Sequence, residues 1–238
     1  MRFDVLTLFP ELIESHLNFS IMKRAKDEGI IEVNTINPRD YSLDKHKKVD
    51  DTPYGGGAGM VLTPQPYIDA YKSIGVNQGE NNSIKSITIM MTPQGEPFTH
   101  EMSKELAQYD QIIILCGHYE GFDERIREII QPREISIGDF VLTGGELPAL
   151  CLIDSVSRNI EGTLGKIESA HDDSFSDGLL EYPQYTKPRE YMGLRVPDVL
   201  LNGNHKLIDE FRSEQKILRT QAKRPDLYER WLQNKKDF

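Results

Sequence analysis

Short apolar runs and amphipathic segments alternate along the first two thirds of the chain. Four of the runs predict strands, at residues 3–8, 30–36, 84–91 and 111–116. The last two are apolar almost without interruption, which is typical of strands buried on both faces of a parallel sheet. Helical spacing is present at residues 11–17, 21–28, 99–108, 123–130 and 146–159. This alternation predicts an α/β fold with a mostly parallel sheet.

The pattern changes after residue 161. Residues 162–187 combine small and acidic side chains with little periodicity, which indicates a mobile linker. Beyond it, residues 196–201 look strand-like, and residues 205–220 and 225–234 have helical spacing. The sequence therefore predicts an α/β domain at 1–161, the linker at 162–187 and a small helical C-terminal domain at 188–238.

Charge is divided unevenly between these regions. The whole chain has 28 Lys and Arg against 38 Asp and Glu, a net charge of -10 and a pI near 5.1. Residues 188–238 hold 11 basic and 8 acidic residues, so the acidic excess belongs to the rest of the chain. The net charge of -10 excludes a uniformly basic nucleic-acid binder. It is still compatible with local contact between the C-terminal domain and a polyanion.

Neither a membrane span nor an export signal is predicted. No window approaches roughly 18 unbroken apolar residues, and Asp4 interrupts the N-terminal run where a signal peptide stays apolar. Cys116 and Cys151 lie in apolar runs without CxxC spacing. They are expected to be reduced core thiols of a cytoplasmic protein, and neither a disulfide nor a zinc site is expected.

Three loops rich in Gly or Pro follow the predicted strands. They comprise residues 92–95, 117–121 and 136–148, and ligands of open α/β sheets bind at the carboxyl ends of strands. None matches GxGxxG or GxxxxGK[ST], so neither a Rossmann fingerprint nor a P-loop is present. Each loop alone is explained equally as an ordinary βα turn. Three at one sheet edge favour a nucleotide-like ligand.

A fourth Gly-rich stretch, residues 49–60, lies far from any predicted strand end. Its five successive small residues suit backbone contact with a flat group, and a flexible surface loop is the alternative. Just upstream, residues 45–48 form a basic cluster that is either a solvated face or a set of phosphate contacts.

Longer segments resemble the bacterial tRNA (guanine-N1)-methyltransferases of the SPOUT superfamily. The matching segments are FDVLTLFPE, NPRDYSLDKHKKVDDTPYGGGAGM, ILCGHYEGFDERI, SIGDFVLTGGELPAL, LIDSVSR, DSFSDGLLEYPQYTKP and VPDVLLNGNH. They cover most of the chain in order. The resemblance implies methyl transfer from S-adenosylmethionine to the guanosine immediately 3′ of the anticodon. It also implies a deep trefoil knot in the α/β domain and a homodimer with shared active sites.

The resemblance further implies which residues bind substrates. Backbone groups of the three loops would hold the adenine and ribose of the methyl donor, which accounts for the glycines. The implied donor contacts are Met91, Thr92, Pro93, Gly117, Tyr119, Glu120, Ser136, Ile137, Gly138, Leu142, Gly144, Gly145 and Pro148. The implied contacts to the guanosine preceding the target are Gly55, Gly56, Gly57, Ala58 and Gly59. The basic C-terminal domain would bind the anticodon arm.

The family's catalytic pair corresponds to Asp173 in the linker and Arg158 at the end of the last body helix. A carboxylate can remove the weakly acidic proton of guanine N1, and a guanidinium can stabilise the charge that develops on O6. From the residues alone, Asp173 is equally an acid of a solvated linker and Arg158 a cation at a helix C-terminus. The adjacent Asp172 leaves open which acid is the base; Asp173 is chosen because it directly precedes Ser174.

Two positions depart from the family pattern, because His118 and Asp172 stand where Arg and Glu are common. The family also uses Mg²⁺, although no metal-ligand spacing in this chain suggests a site and no ligands are assigned. Two other functions compete with the main one. The first is a related SPOUT enzyme acting on a ribose 2′-hydroxyl or on ribosomal RNA, and the second is a non-catalytic RNA-binding module.

Overall fold

The computed structural model describes residues 1–75, 84–164 and 173–236. The chain forms two compact units, Met1–Gly165 and Lys166–Phe238. Residues 173–187, predicted as part of a linker, therefore belong to the second unit.

The first unit is built on a five-stranded sheet. Its strands are β1 (Arg2–Leu6), β2 (Glu32–Ile36), β5 (Ser86–Pro97), β6 (Gln111–Cys116) and β7 (Arg133–Ser136). All pairs are parallel, in the order β2-β1-β6-β5-β7. Two short strands, β3 (Asp50–Asp51) and β4 (Val61–Leu62), pair with each other antiparallel. The prediction of an α/β fold with a mostly parallel sheet is confirmed.

Six α-helices accompany this sheet in the described ranges 1–75 and 84–164. They are α1 (Pro10–His16), α2 (Ser20–Asp27), α3 (Pro64–Ser73), α4 (His100–Leu106), α5 (Glu124–Ile130) and α6 (Glu146–Ser157). The five predicted helices are present within a few residues, and side chains define some of their starts. Thr99 accepts a hydrogen bond from the Met102 amide at 3.2 Å, as N-cap residues do. Helix α3 was not predicted, because its two prolines look like breakers although both lie in the first turn.

Apolar residues cover both faces of the sheet. Along β6, Ile112 and Ile114 pack into one core together with side chains of α1, α2, α4 and α6. Ile113 and Leu115 point the other way, into a core that includes side chains of α3 and α5. The continuous apolar run of β6 is therefore explained by burial on two sides, and each fully buried side chain contributes roughly 1.5–3 kcal/mol.

Residues 92–95 are not the open βα turn that the sequence predicts. Strand β5 continues through them to Pro97, and its pairing with β7 shifts register between Met91 and Glu96. A side chain at Gly95 would overlap the backbone of Glu134 and Ile135. Glycine is therefore required for the close approach of the two strands, and the loop prediction is wrong at this point.

Among residues 173–236, the second unit contains a short hairpin and two α-helices. The hairpin consists of β8 (Glu190–Tyr191) and β9 (Leu194–Arg195), and the helices are α7 (His205–Lys223) and α8 (Pro225–Lys236). The two helix predictions are confirmed. The strand predicted at 196–201 is wrong, because Asp198–Leu200 forms a 3₁₀ helix after Pro197 and pairs with no strand.

Residues 177–182 of the predicted linker pack against α7. The Leu180 amide donates to Thr220 Oγ1 at 2.8 Å, and the Lys216 ammonium pairs with the Asp177 carboxylate. Leu179 and Tyr182 are buried. Mobility of residues 162–187 as a whole stays a prediction, and residues 165–172 lie outside the described ranges.

The two cysteines lie in different environments and form no disulfide. Cys116 is buried, as expected, whereas Cys151 is exposed. The expectation of a core thiol is wrong for Cys151, because Leu150 and Ile153 define the buried face of α6 and Cys151 points away from it. None of the described helices is long and apolar enough to cross a membrane.

Candidate active site

A cavity of about 310 Å³ lies beyond the ends of β6 and β7 and beside the irregular half of β5. Its lining comes from the irregular half of β5, from the loop that follows β6 and from the segment between β7 and α6. All thirteen residues implied to bind the methyl donor line it: Met91, Thr92, Pro93, Gly117, Tyr119, Glu120, Ser136, Ile137, Gly138, Leu142, Gly144, Gly145 and Pro148. The structure thus brings together positions up to 57 residues apart in sequence, and their contact with the donor stays a prediction.

Backbone forms much of this lining, because several glycines have no room for a side chain. A Cβ at Gly145 would lie 2.7 Å from Cys116 Cα and 2.8 Å from the Gly117 nitrogen. The Gly145 amide donates to the Gly117 carbonyl at 2.8 Å. At Gly138, which has φ +148°, a Cβ would lie 2.6 Å from the Phe140 ring. Such a wall offers amide and carbonyl groups to a flat polar ligand at close range.

A buried carboxylate beneath the cavity was missed by the sequence analysis. Glu146, the first residue of α6, is 2% exposed. Its Oε1 accepts from Thr7 Oγ1 at 2.6 Å, and its Oε2 lies 2.7 Å from His118 Nε2. The only sequence signal was a lone acid between two glycines and an apolar helix. Charged groups are almost never fully buried unless paired, and here both oxygens have partners.

The same carboxylate affects the thiol at the end of β6. Burial raises the pKa of Cys116 well above its usual range, and the Glu146 charge adds to the rise. Burial likewise raises the pKa of Tyr67, with smaller contributions from Cys116 and Glu146. Cys116 therefore stays a neutral thiol at physiological pH and does not suit the role of a nucleophile.

The fourth Gly-rich stretch is the hairpin loop between β3 and β4. Gly55, Gly56, Gly57 and Gly59 all have positive φ, which favours glycine, and Tyr54 at the tip is fully exposed. The base of the hairpin is bonded to the cavity loop, since the Glu120 amide donates to the Met60 carbonyl at 3.0 Å. The sequence placed this stretch far from any strand end. In the structure it adjoins the cavity.

The predicted catalytic residues lie in different units. Arg158 is the exposed C-cap residue of α6 in the first unit. Asp173 is half-buried in the second unit, where its carbonyl accepts from the Ser176 amide at 3.2 Å. Asp172 lies outside the described residues. The pairing of Asp173 with Arg158 stays a prediction.

No preformed metal-binding site is found in the described ranges. Within residues 1–75, 84–164 and 173–236, no three His, Cys, Asp or Glu side chains gather as a metal-binding group. The described residues therefore provide no group of protein ligands that fits the Mg²⁺ implied by the family resemblance.

An apolar surface adjoins the carboxyl edge of the sheet on α1 and α6. Leu12 on α1 is 39% exposed and Leu147 on α6 is 52% exposed, and Cys151 lies one turn beyond Leu147. His16 Nε2 on α1 lies 3.7 Å from Asp154 Oδ2 on α6. Exposed apolar side chains grouped on two neighbouring helices are typical of a protein interface.

The fold and cavity define a class: a parallel α/β protein that binds a ligand through backbone groups at the carboxyl edge of its sheet. Sequence comparison specifies it further. The profile of the family described as tRNA (Guanine-1)-methyltransferase TrmD matches residues 1–230. The chain belongs to this family.

Individual relatives agree with the family assignment. A protein of Staphylococcus epidermidis named tRNA (guanine-N(1)-)-methyltransferase is 56% identical over 237 residues, which cover 100% of this chain and 94% of the relative. A protein of the same name from Staphylococcus aureus is 55% identical over 231 residues, which cover 97% of this chain and 92% of the relative. The similarity extends over both units.

Proposed function

We propose that this S-adenosylmethionine-dependent tRNA (guanine-N1)-methyltransferase modifies the guanosine immediately 3′ of the anticodon, and that it does so in the cytoplasm. The supporting observation is the cavity. Thirteen residues implied by the family resemblance line one space at the carboxyl edge of the sheet, with the Gly-rich hairpin bonded to its wall. An arbitrary assignment of these residues would not be expected to converge on one cavity.

The lining residues suit S-adenosylmethionine, which supplies a methyl group already activated on a sulfonium sulfur. Backbone groups of the three loops that are not used within the protein offer hydrogen bonds to adenine and ribose. The apolar side chains of Ile137 and Leu142 offer contacts to the adenine faces. The main task of the cavity is to align the methyl carbon with the incoming nitrogen.

Two residues are assigned to the chemistry on guanine. The Asp173 carboxylate takes the N1 proton, so that the nitrogen electron pair becomes available to form the new bond to the methyl carbon. The carbon–sulfur bond of the donor would break at the same time, and its electron pair would stay on sulfur, leaving a neutral thioether. Negative charge then develops on O6, where the Arg158 guanidinium donates a charge-assisted hydrogen bond. Placing the base in the second unit would couple proton removal to RNA binding, which orders mobile segments around a substrate.

RNA recognition is assigned to two surfaces. The Gly-rich hairpin from Gly55 to Gly59 contacts the guanosine that precedes the target, since the backbone is open to a base at Gly55 and Gly56. The basic residues of α7 and α8 contact phosphates of the anticodon arm, because residues 188–238 carry an excess of Lys and Arg.

The proposal includes two further features of the family. A second copy of the chain covers the exposed apolar face of α1 and α6 and completes each active site. The segment before α6 is threaded through the chain as a deep trefoil knot. Direct packing of Gly145 against the backbone of Cys116 and Gly117 supports such threading, since the segment passes without side-chain spacers.

The test is methylation of a transcript tRNA with a labelled donor, followed by nucleoside analysis and mapping of the position. We expect 1-methylguanosine next to the anticodon, and a transcript with adenosine at that position should not be methylated. Ribose methylation, or a preference for ribosomal RNA, would indicate the related SPOUT enzyme. Absence of S-adenosylmethionine binding by calorimetry would indicate the non-catalytic RNA-binding module.

A further inference from the structure

The buried Glu146 has no role in the chemistry just described, although it lies directly beneath the donor cavity. It joins three segments that are distant in sequence. The Phe9 amide donates to Thr7 Oγ1 at 2.9 Å, Thr7 donates to Glu146 Oε1 at 2.6 Å, and His118 Nε2 is 2.7 Å from Oε2. A carboxylate only accepts hydrogen bonds, so the Nε2 proton of His118 is assigned to this contact.

This Thr7–Glu146–His118 chain fixes two walls of the cavity relative to each other. His118 follows β6 and forms a backbone bridge with Gly144, which precedes α6. A side chain at Gly144 would overlap the His118 ring and lie 2.7 Å from Glu146 Oε2. The glycine therefore leaves space for the imidazole–carboxylate pair, and the pair occupies the volume between the walls.

The loop held by His118 is strained. Tyr119 has φ +58°, a left-handed conformation that costs a non-glycine residue on the order of 1 kcal/mol or more. Its neighbours are both anchored, since His118 binds Glu146 on one side and the Glu120 amide donates to Met60 on the other. Strained residues persist where the surrounding contacts over-determine them. The His118 side-chain contact with Glu146 is one of those that hold Tyr119 in place.

We propose that Glu146 and His118 are positioning residues that hold the loop after β6 in the conformation that binds the methyl donor. The inference rests on the proposed function, because it assumes that the donor occupies this cavity. The alternative is that the pair only stabilises the fold, as a buried hydrogen-bonded carboxylate elsewhere in the core would.

Asp4 provides a matched control for that alternative. It is also fully buried, and it accepts from Gln111 Nε2 at 2.6 Å and from Arg2 at 2.8 Å, among the strands of the sheet. The experiment compares His118→Ala, Glu146→Ala and Asp4→Ala with wild type. For each protein, calorimetry gives the Kd of S-adenosylmethionine, thermal unfolding gives the Tm, and steady-state kinetics give kcat and the donor KM. Asp4→Asn serves as a milder control if Asp4→Ala does not fold.

We expect His118→Ala and Glu146→Ala each to raise the donor Kd and KM at least tenfold, with kcat at saturating donor within threefold of wild type. The double variant should lose no more affinity than the worse single variant, because the two residues act as one unit. Asp4→Ala should lower the Tm and leave the Kd unchanged.

The inference is overturned if His118→Ala binds the donor as wild type does. It is also overturned if Asp4→Ala and Glu146→Ala lose similar Tm and weaken donor binding equally. A third overturning result is a fall in kcat of the His118 or Glu146 variant while its donor Kd stays the same. Failure of wild type to bind the donor would refute the proposed function and the inference with it. Normal wild-type binding with unchanged His118→Ala would refute the inference alone.

Discussion

The described residues include one carboxylate buried among the strands of the sheet and one buried at its carboxyl edge, and the two are held in different ways. Asp4 is the middle residue of β1, and its partners are residues of the strands themselves: Arg2 on β1, Gln111 on β6 and Asn34 directly opposite on β2. At the carboxyl end, the partners of Glu146 are Thr7 and His118, which lie just beyond the strands. The first carboxylate joins strands, whereas the second joins loops.

This difference explains where function is located in the first unit. Strand residues are already fixed by ladder hydrogen bonds, so the Asp4 contacts add stability without changing the shape of a cavity. The loops are joined by only isolated backbone contacts, such as the His118–Gly144 bridge, so a buried carboxylate between them contributes more to their conformation. The carboxyl edge is therefore the end at which small structural changes should alter ligand binding.

The largest effect is expected at Asp173 and Arg158, and it tests whether these residues carry out the reaction and the buried Asp4 and Glu146 do not. Asp173→Ala should lower kcat by about 100- to 10,000-fold, the contribution of a positioned general base, with the donor Kd near that of wild type.

Arg158→Ala should lower kcat by roughly 100- to 1,000-fold, as the loss of one oxyanion donor does. Single-turnover methylation and calorimetry measure the two quantities.

The control is Asp177→Ala, which removes another acid of the same segment and its ion pair with Lys216. It should lower stability and leave turnover largely intact. If Asp173→Ala remains active and Asp172→Ala does not, the neighbouring acid is the base.

The second effect concerns the apolar face beside the carboxyl edge. Leu12→Glu places a charge at the centre of the surface proposed to bind a second copy, so it should convert dimer to monomer and reduce activity at least tenfold. Light scattering after size exclusion measures the mass. Ile129→Glu is a matched control, since Ile129 is a 59% exposed residue of α5. A monomeric wild type, or a dimeric Leu12→Glu variant, would contradict the proposed interface.

The third effect concerns Asp4, the buried carboxylate that is held by strand residues. Asp4→Ala leaves the side-chain amide of Gln111 without its acceptor and removes one of two acceptors of Asn34, and it should lower the free energy of unfolding by about 2 kcal/mol. For a unit of this size that corresponds to roughly 4–8 °C in Tm. An unchanged Tm would show that the Asp4 contacts contribute no net stability.

The smallest effect is a pH dependence at the carboxyl edge. Burial raises the pKa of Cys116, so the unfolded chain loses this proton first and the folded state binds more protons above about pH 8.5. The free energy of unfolding should therefore decrease with rising pH, by about 1 kcal/mol near pH 9.5. Urea unfolding measures it. Cys116→Ala should reduce the slope and Cys151→Ala, at an exposed position, should not; equal slopes for both variants would contradict the assignment.

Much of the fold follows from local pattern. The run Gln111–Cys116 is apolar at every position but the first, and it forms the central strand β6 with the predicted bounds. Helices α7 and α8 likewise follow from spacing. Strand β7 and helix α3 were missed, because four residues are too few to show a period and Pro64 and Pro66 look like breakers.

The residues of the candidate site could be named from the sequence through the family resemblance, and their glycines had a physical reason before the structure was considered. The sequence predicted that the three loops lie at one sheet edge. The cavity itself depends on the strand order, since Pro93, Gly117 and Pro148 line one space because β6, β5 and β7 are neighbours in the sheet. The Glu146–His118 contact had no sequence signal, because the two residues are 28 positions apart and neither belongs to a recognisable pair.

Alternating hydrophobicity thus determines the elements and their buried faces, because it depends on neighbours within a few residues. Charge composition and glycine content indicate the kind of ligand. Tertiary structure alone decides which loops form one cavity, which of two cysteines is exposed and which buried acid holds strands or loops. These depend on contacts between distant segments, and such contacts leave no periodic trace in the chain.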